Sequence, residues 1–216
     1  MERVYRNSHY LFIAVLLMAF VGFHKSYFSK FPDFQDTTAV MHLHAFTVLL
    51  WFAILIAQPL LIRAKRTDLH RVIGKLSYVV APMVILSIFA LMRLSFIRNS
   101  PVLPGQPDIR LIGIADISFF ALTYLLAIYY KRNVNYHARY MVLSVLPFIN
   151  PSLGRLGIPG LIVGLLIMFG LIIYERFNNK IYRPYVIGLP AYVAIYVFFL
   201  FIIDADQWRA FWWMFF

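Results

Sequence analysis

The chain has 216 residues, of which 62% are hydrophobic and only 13% charged, and its formal net charge is +11. So few charges cannot cover a soluble domain of this length, and apolar runs of about 18 residues or more, enough to span a bilayer core of roughly 30 Å, recur along it. There are no cysteines, which excludes disulfides, thiolate metal sites and cysteine nucleophiles. The basic residues sit in short segments between apolar runs, which fits the positive-inside rule and speaks against nucleic acid.

Seven transmembrane helices are predicted in one integral membrane domain over residues 1–216. The first covers residues 8–23; no small-x-small cleavage site follows at Val21-Gly22-Phe23-His24, so it reads as a retained helix with a cytoplasmic N-terminus. A loop from Lys25 to Thr37, with Pro32, Asp33 and Asp36, lies outside. The second helix, 38–62, carries Pro59 near its inner end, where proline frees a backbone carbonyl, and Arg63 to Arg66 marks the cytoplasmic side. The third helix, 70–96, presents His70, Gly74, Ser77 and Ala81 as a stripe of small residues suited to close packing. An external loop from Arg98 to Arg110 contains Pro101, Pro104, Gly105 and Pro107. The fourth helix, 111–130, has Asp116 in its outer third, and Lys131-Arg132-Asn133 returns the chain inside.

The fifth helix, 138–155, is interrupted by Pro147 and Pro151, so its freed carbonyls are expected to line a cavity. The sixth, 159–175, has Gly160 and Gly164 spaced for close packing. Arg176 to Arg183 forms a basic inner loop. The seventh helix, 185–203, leads to Asp204, Asp206 and a Trp/Phe-rich tail suited to the outer interface. Of the 20 Lys and Arg, 13 fall on the inner side and 6 on the outer, with Arg93 inside the third helix. The fold class is therefore an all-α polytopic transmembrane bundle of about seven spans, N-in and C-out. Merging the fifth and sixth helices as a re-entrant pair gives a six-span alternative with the C-terminus inside.

The polar groups in the oily helices carry the functional reading. His44, Trp51 and Gln58 are spaced by seven residues, nearly one helix face, over about 21 Å at ~1.5 Å per residue. Such a stripe needs partners. Whether His42 or His44 faces the interior stays open. His70 and His137 both start inward-to-outward helices, and imidazoles from two helices can hold a b-type haem axially without thiolate. Their other reading is interfacial: histidines bonding loop carbonyls or lipid phosphates beside Arg71 and Arg139. On the outer side, His24, His44 and Asp116 offer a two-histidine, one-carboxylate set for a divalent metal. Against that stands an ion pair between Asp116 and Arg93. Trp51 and Gln58 have the plain alternatives of packing and a helix-to-helix hydrogen bond, while Asn150 and Arg155 add polar groups to the fifth helix. A serine-nucleophile motif, a P-loop, a glycine-rich dinucleotide turn, a retinal lysine in the seventh helix and a voltage sensor are all missing from the sequence.

His44 (or His42), Gln58, Arg66, Leu69-His70-Arg71, Gly74, Tyr78, His137, Arg139, Met141 and Arg155 together resemble an uncharacterised bacterial family of multi-pass membrane proteins. That family's pattern reads His, Gln, Leu-His-Arg-x-x-Gly-x-x-Tyr, then His-x-x-x-Met and Arg. The resemblance covers the second to fifth helices and implies a bacterial inner-membrane location. More distantly, the chain is similar to the transmembrane b-type cytochromes that include ferric reductases, whose four-helix core carries one histidine per helix. His44, His70 and His137 match three of those positions; the fourth helix offers Asp116 where a histidine is expected.

These readings converge on a haem b-binding electron-transfer or reductase component. His70 and His137 are its axial ligands, and His44, Trp51, Gln58 and Arg155 line a pocket for a partner such as quinone or another redox protein. The alternatives are a non-redox transporter or assembly scaffold, and a metal-dependent membrane enzyme using His24, His44 and Asp116. A transporter predicts a continuous polar path through Gln58 and Asn150.

Overall fold

The computed structural model describes residues 3–98, 110–180 and 182–203. Most of the expected outer loop from Arg98 to Arg110, and Asp204, Asp206 and the Trp/Phe-rich tail, lie outside the described residues. The described elements are helical throughout: α1 (Arg3–Arg6), α2 (His9–Gly22), α3 (Ala39–Arg63), α4 (Thr67–Arg98), α5 (Arg110–Tyr129), α6 (Val134–Leu143), α7 (Ile149–Gly154), α8 (Gly160–Phe177) and α9 (Arg183–Val197). Single 3-10 turns occur at Phe28–Lys30 and Leu146–Phe148, and a π-helical turn at Phe198–Ile202 follows α9.

Five described helices are long and apolar enough to cross a membrane, against the seven spans expected: Ala39–Arg63, Thr67–Ser95, Leu111–Tyr129, Gly160–Phe177 and Arg183–Ile202. The difference has two causes. α2 is apolar but has only 14 residues. The expected fifth helix is cut into α6, the 3-10 turn containing Pro147, and the six-residue α7. Proline has no N–H to give the helix ladder, and it pushes its preceding residue away from helical angles. Local side chains repair part of the break: Ser144 Oγ donates to the Met141 carbonyl at 2.8 Å and Ser152 Oγ to the Phe148 carbonyl at 2.8 Å.

Helix ends follow local chemistry. Thr38 caps α3 by accepting from the Met41 N–H, and Asn133 caps α6 by accepting from the Tyr136 N–H. Each satisfies one of the amides that a helix start leaves bare. α3 stops where Lys65 takes a left-handed φ of 58°, and the amides of Lys65 and Arg66 fold back on the carbonyls of Ile62 and Leu61. That tight reversal makes α3 and α4 neighbours, and they form the most extensive helix pair. α5 is the central helix: it packs on α4, α6 and α9, and 56% of its apolar window is buried, more than in any other span.

Trp51, Phe52, Phe119, Phe120, Leu143, Ile149, Tyr185 and Tyr192 are almost wholly enclosed. Large apolar side chains also point outward, among them Leu17, Phe46, Val72, Leu86, Leu125, Leu166 and Phe169. An apolar exterior of this extent is at home in hydrocarbon. The architecture is an all-α bundle with the character of a multi-span membrane protein.

Among the described residues, one ion pair is enclosed in the bundle. Arg139 on α6, with its side chain fully buried, meets the Glu175 carboxylate on α8, whose side chain is 4% exposed. Tyr5 Oη donates to Glu175 Oε1 at 3.0 Å, and the Tyr182 backbone N–H donates to Oε2 at 3.1 Å. Arg139 also donates to the Asn135 carbonyl at 3.0 Å, and its guanidinium lies over the rings of Tyr182 at 3.7 Å and Tyr5 at 4.4 Å. Tyr5 and Tyr185 share a hydrogen bond of 3.1 Å. Burial, aided by Tyr185, holds the Tyr5 phenol well above its ordinary range, so it remains a donor. This knot ties α1, α6, α8 and α9 at one end of the bundle.

Candidate functional site

A cavity of about 660 Å³ opens near the α3–α4 turn. Its lining comes from four regions: Ser8 and Phe12 near and in α2; Ile54, Leu55, Gln58, Pro59 and Ile62 from α3; His70, Arg71, Gly74, Lys75, Ser77 and Tyr78 from α4; and Ile128 through Met141 around the α5–α6 connection, including Lys131, Arg132 and His137. Its volume falls within the roughly 300–1,000 Å³ range of small-molecule sites. The walls are apolar, and Arg71, Lys75, Lys131 and Arg132 are exposed cations at its rim. Lys131 Nζ donates to Tyr78 Oη at 3.4 Å, which bridges α4 to the α5–α6 turn.

The two inner histidines share this cavity. His137 Nδ1 is 2.8 Å from the Ala127 carbonyl. A carbonyl only accepts, so Nδ1 carries the proton and Nε2 keeps its lone pair. A backbone carbonyl that orients a ring in this way is the usual support behind a metal-ligating histidine. His70 lies against the backbone carbonyl of Gln58 and close enough to His137 for their charges to interact. Its Nδ1 is buried with no hydrogen-bond partner, as is Gln58 Nε2. Bare buried donors and acceptors are costly and rare. Gly74 faces the Gln58 amide, and a methyl group there would meet its atoms at 3.8 Å, ordinary contact. The interfacial reading of these histidines had them bonded to loop groups; for His137 the partner is the last turn of α5.

The stripe of His44, Trp51 and Gln58 does lie along the α4/α5 side of α3, but its members do not share a cavity. His44 Nδ1 is 3.0 Å from Ser87 Oγ on α4, and Thr47 Oγ1 is 3.1 Å from the same hydroxyl. His42 points to the loop instead, 2.7 Å from Tyr27 Oη by Nδ1 and 3.1 Å from Thr37 Oγ1 by Nε2. His44 is thus the histidine between helices. Trp51 is fully buried, packed edge-on against Phe120 and Tyr124, and its Nε1 has no partner. Only Gln58 reaches the cavity.

The outer residues are dispersed. His24 lines a second cavity of about 740 Å³ with Lys25 and Arg155. Arg155 rests over the Phe23 ring at 3.9 Å and donates to the Pro151 carbonyl at 2.8 Å. Asp116 accepts from Asn150 Nδ2 at 2.6 Å and from Tyr196 Oη; Arg93 is not among the groups that act on it. Among the described residues no group of three or more His, Cys, Asp or Glu could hold a metal ion. The Arg139–Glu175 pair and the Asp116–Asn150–Tyr196 cluster were not foreseen as such. Each joins residues 34 or more apart in the chain, and no local spacing announces such a pairing.

Among the described residues, large aromatic side chains stand between the cavity and Asn150. From Gln58 the next turns of α3 present Leu55, Phe52 and Trp51, all enclosed. Phe52 and Phe120 pack edge-on against Phe148, two residues before Asn150. Comparison with family models, with curated proteins and with solved structures finds no match to this chain.

Proposed function

We propose that the protein is a b-type haem-binding membrane component that passes single electrons, with His70 and His137 as the axial ligands in the inner cavity. The observation that carries this reading is the convergence of two histidines from different helices on one cavity, each with a ring nitrogen that no protein group takes. The donor set fits haem: two neutral imidazoles need no thiolate, the walls are apolar, and Gly74 leaves one of them low. The cations at the rim suit the carboxylates at the edge of the porphyrin. A bound haem supplies a one-electron couple; the chain holds, orients and shields it. The Ala127 carbonyl fixes the His137 tautomer and makes its free nitrogen more basic.

The basic residues of the α3–α4 and α5–α6 turns share the end of the bundle where the cavity opens, and by the positive-inside rule that end faces the cytoplasm. With the resemblance to bacterial multi-pass proteins and to b-type cytochromes, this supports an N-in, C-out protein of the bacterial cytoplasmic membrane. A quinone or a second redox protein is its electron partner. The aromatic packing of Phe52, Phe120 and Phe148 beyond Gln58 weighs against a transporter.

The test is a reduced-minus-oxidised absorption spectrum of the purified protein expressed with haem supplied. A sharp b-type band that is lost in His70→Ala and in His137→Ala is expected. A flat spectrum from folded wild-type protein refutes the proposal and leaves a non-redox scaffold.

A further inference from the structure

Asp116 is 8% exposed in the described bundle, yet it has no cationic partner among the described residues. The groups that face it are neutral. Tyr196 and Tyr192 come from α9 and Asn150 from α7. The α4 side presents Met92 to the same stretch of α5. Leaving a carboxylate in such a place is costly, and membrane helices rarely carry one without a purpose.

Two further observations concern the hydrogen bonds. Asn150 Nδ2 donates both to Asp116 Oδ1 and to Tyr196 Oη, while Asn150 Oδ1 is buried with nothing to accept. The Tyr192 hydroxyl sits beside Asn150 and Tyr196 but makes no hydrogen bond of good geometry. Both residues are held in place by close approach of α8. A Cβ at Gly160 would fall 2.7 Å from Asn150 Cα, and one at Gly164 would fall 2.6 Å from Tyr192 Oη. The bare atoms are therefore not a product of loose packing.

We propose that Asp116 is a proton-binding site, carried as the neutral carboxylic acid inside the bundle. A proton on Oδ2 removes the charge and leaves the observed bonds as they stand: Oδ1, the carbonyl oxygen of the acid, still accepts from Asn150 Nδ2 and from Tyr196 Oη. A metal ion fits the same oxygens less well, because phenols and one amide are weak ligands and, among the described residues, no cluster of carboxylates or imidazoles supports them. This site is separate from the histidine cavity and does not depend on haem.

Infrared spectroscopy of the purified full-length protein at neutral pH, in H₂O and in D₂O, tests it. The wild-type minus Asp116→Asn difference is expected to show a carboxylic acid C=O band that shifts down in D₂O. Glu175 does not contribute, since it is ion-paired with Arg139. A difference that contains only carboxylate stretches overturns the proposal. So does loss of the acid band on adding sodium or calcium chloride at constant pH, which would assign the site to a metal ion. If Asp116→Asn does not fold, Tyr196→Phe serves instead: it keeps the acid and removes its donor, so the band should move to higher frequency. An unmoved band refutes the arrangement.

Discussion

The Arg139–Glu175 knot and the histidine cavity are both polar, and both join the ends of several helices, yet they differ in one respect. In the knot the ions are met by protein groups: Tyr5, Tyr182 and Asn135 surround the pair. In the cavity His70 Nδ1 and Gln58 Nε2 meet nothing. A buried polar group closed on protein partners holds the fold together, whereas one left open is what the proposed ligand site requires.

That contrast is best broken from the structural side. Arg139→Ala leaves Glu175 buried without its cation and should cost about 3–5 kcal/mol, read as a large fall in thermal unfolding temperature in detergent. A loss near that of an exposed charge would mean the knot is solvated. Gly160→Ala drives a methyl into the Asn150 backbone and should cost about 1–3 kcal/mol by overpacking. Ser87→Ala removes the α3–α4 bond to His44 and should cost only about 0.6 kcal/mol, the mean for such bonds between membrane helices.

The cavity should respond in the opposite sense. Gln58→Leu removes a bare buried amide and is expected to raise stability by about 1 kcal/mol, measured in the same melting assay without ligand. A loss of stability instead would show that Gln58 is already satisfied and would erase the difference between the two regions. On the haem proposal, the rise should come with weaker haem retention, the trade expected where a site is kept at the expense of the fold.

The sequence made the helices legible, because apolar runs bounded by Arg and Lys turns follow from the bilayer alone. That His70 and His137 meet at one cavity was legible too, since both stand near helix starts. Where reading failed, the cause was register between distant helices. His44, Trp51 and Gln58 share a face of α3, but a face is not a pocket; Ser87, Phe120 and Gly74 decide what each one meets. Glu175 drew no attention, since at the end of α8 it looks like one more charge beside Arg176. Only the three-dimensional arrangement puts it against Arg139.

The short elements have a consequence for the lipid. α2, with 14 residues, is about 21 Å long at ~1.5 Å per residue, against roughly 30 Å of hydrocarbon. It packs on α7, which has six residues, so one flank of the bundle is shorter than its surroundings. Hydrophobic mismatch of this kind is relieved by thinning of the adjacent leaflet or by snorkelling side chains. The cavity holding His24, Lys25 and Arg155 lies at the end of α2, so Lys25 and Arg155 are placed for such snorkelling. Beside spans of 25 and 29 residues, a flank this short would draw the bilayer thinner on one side of the bundle than on the other.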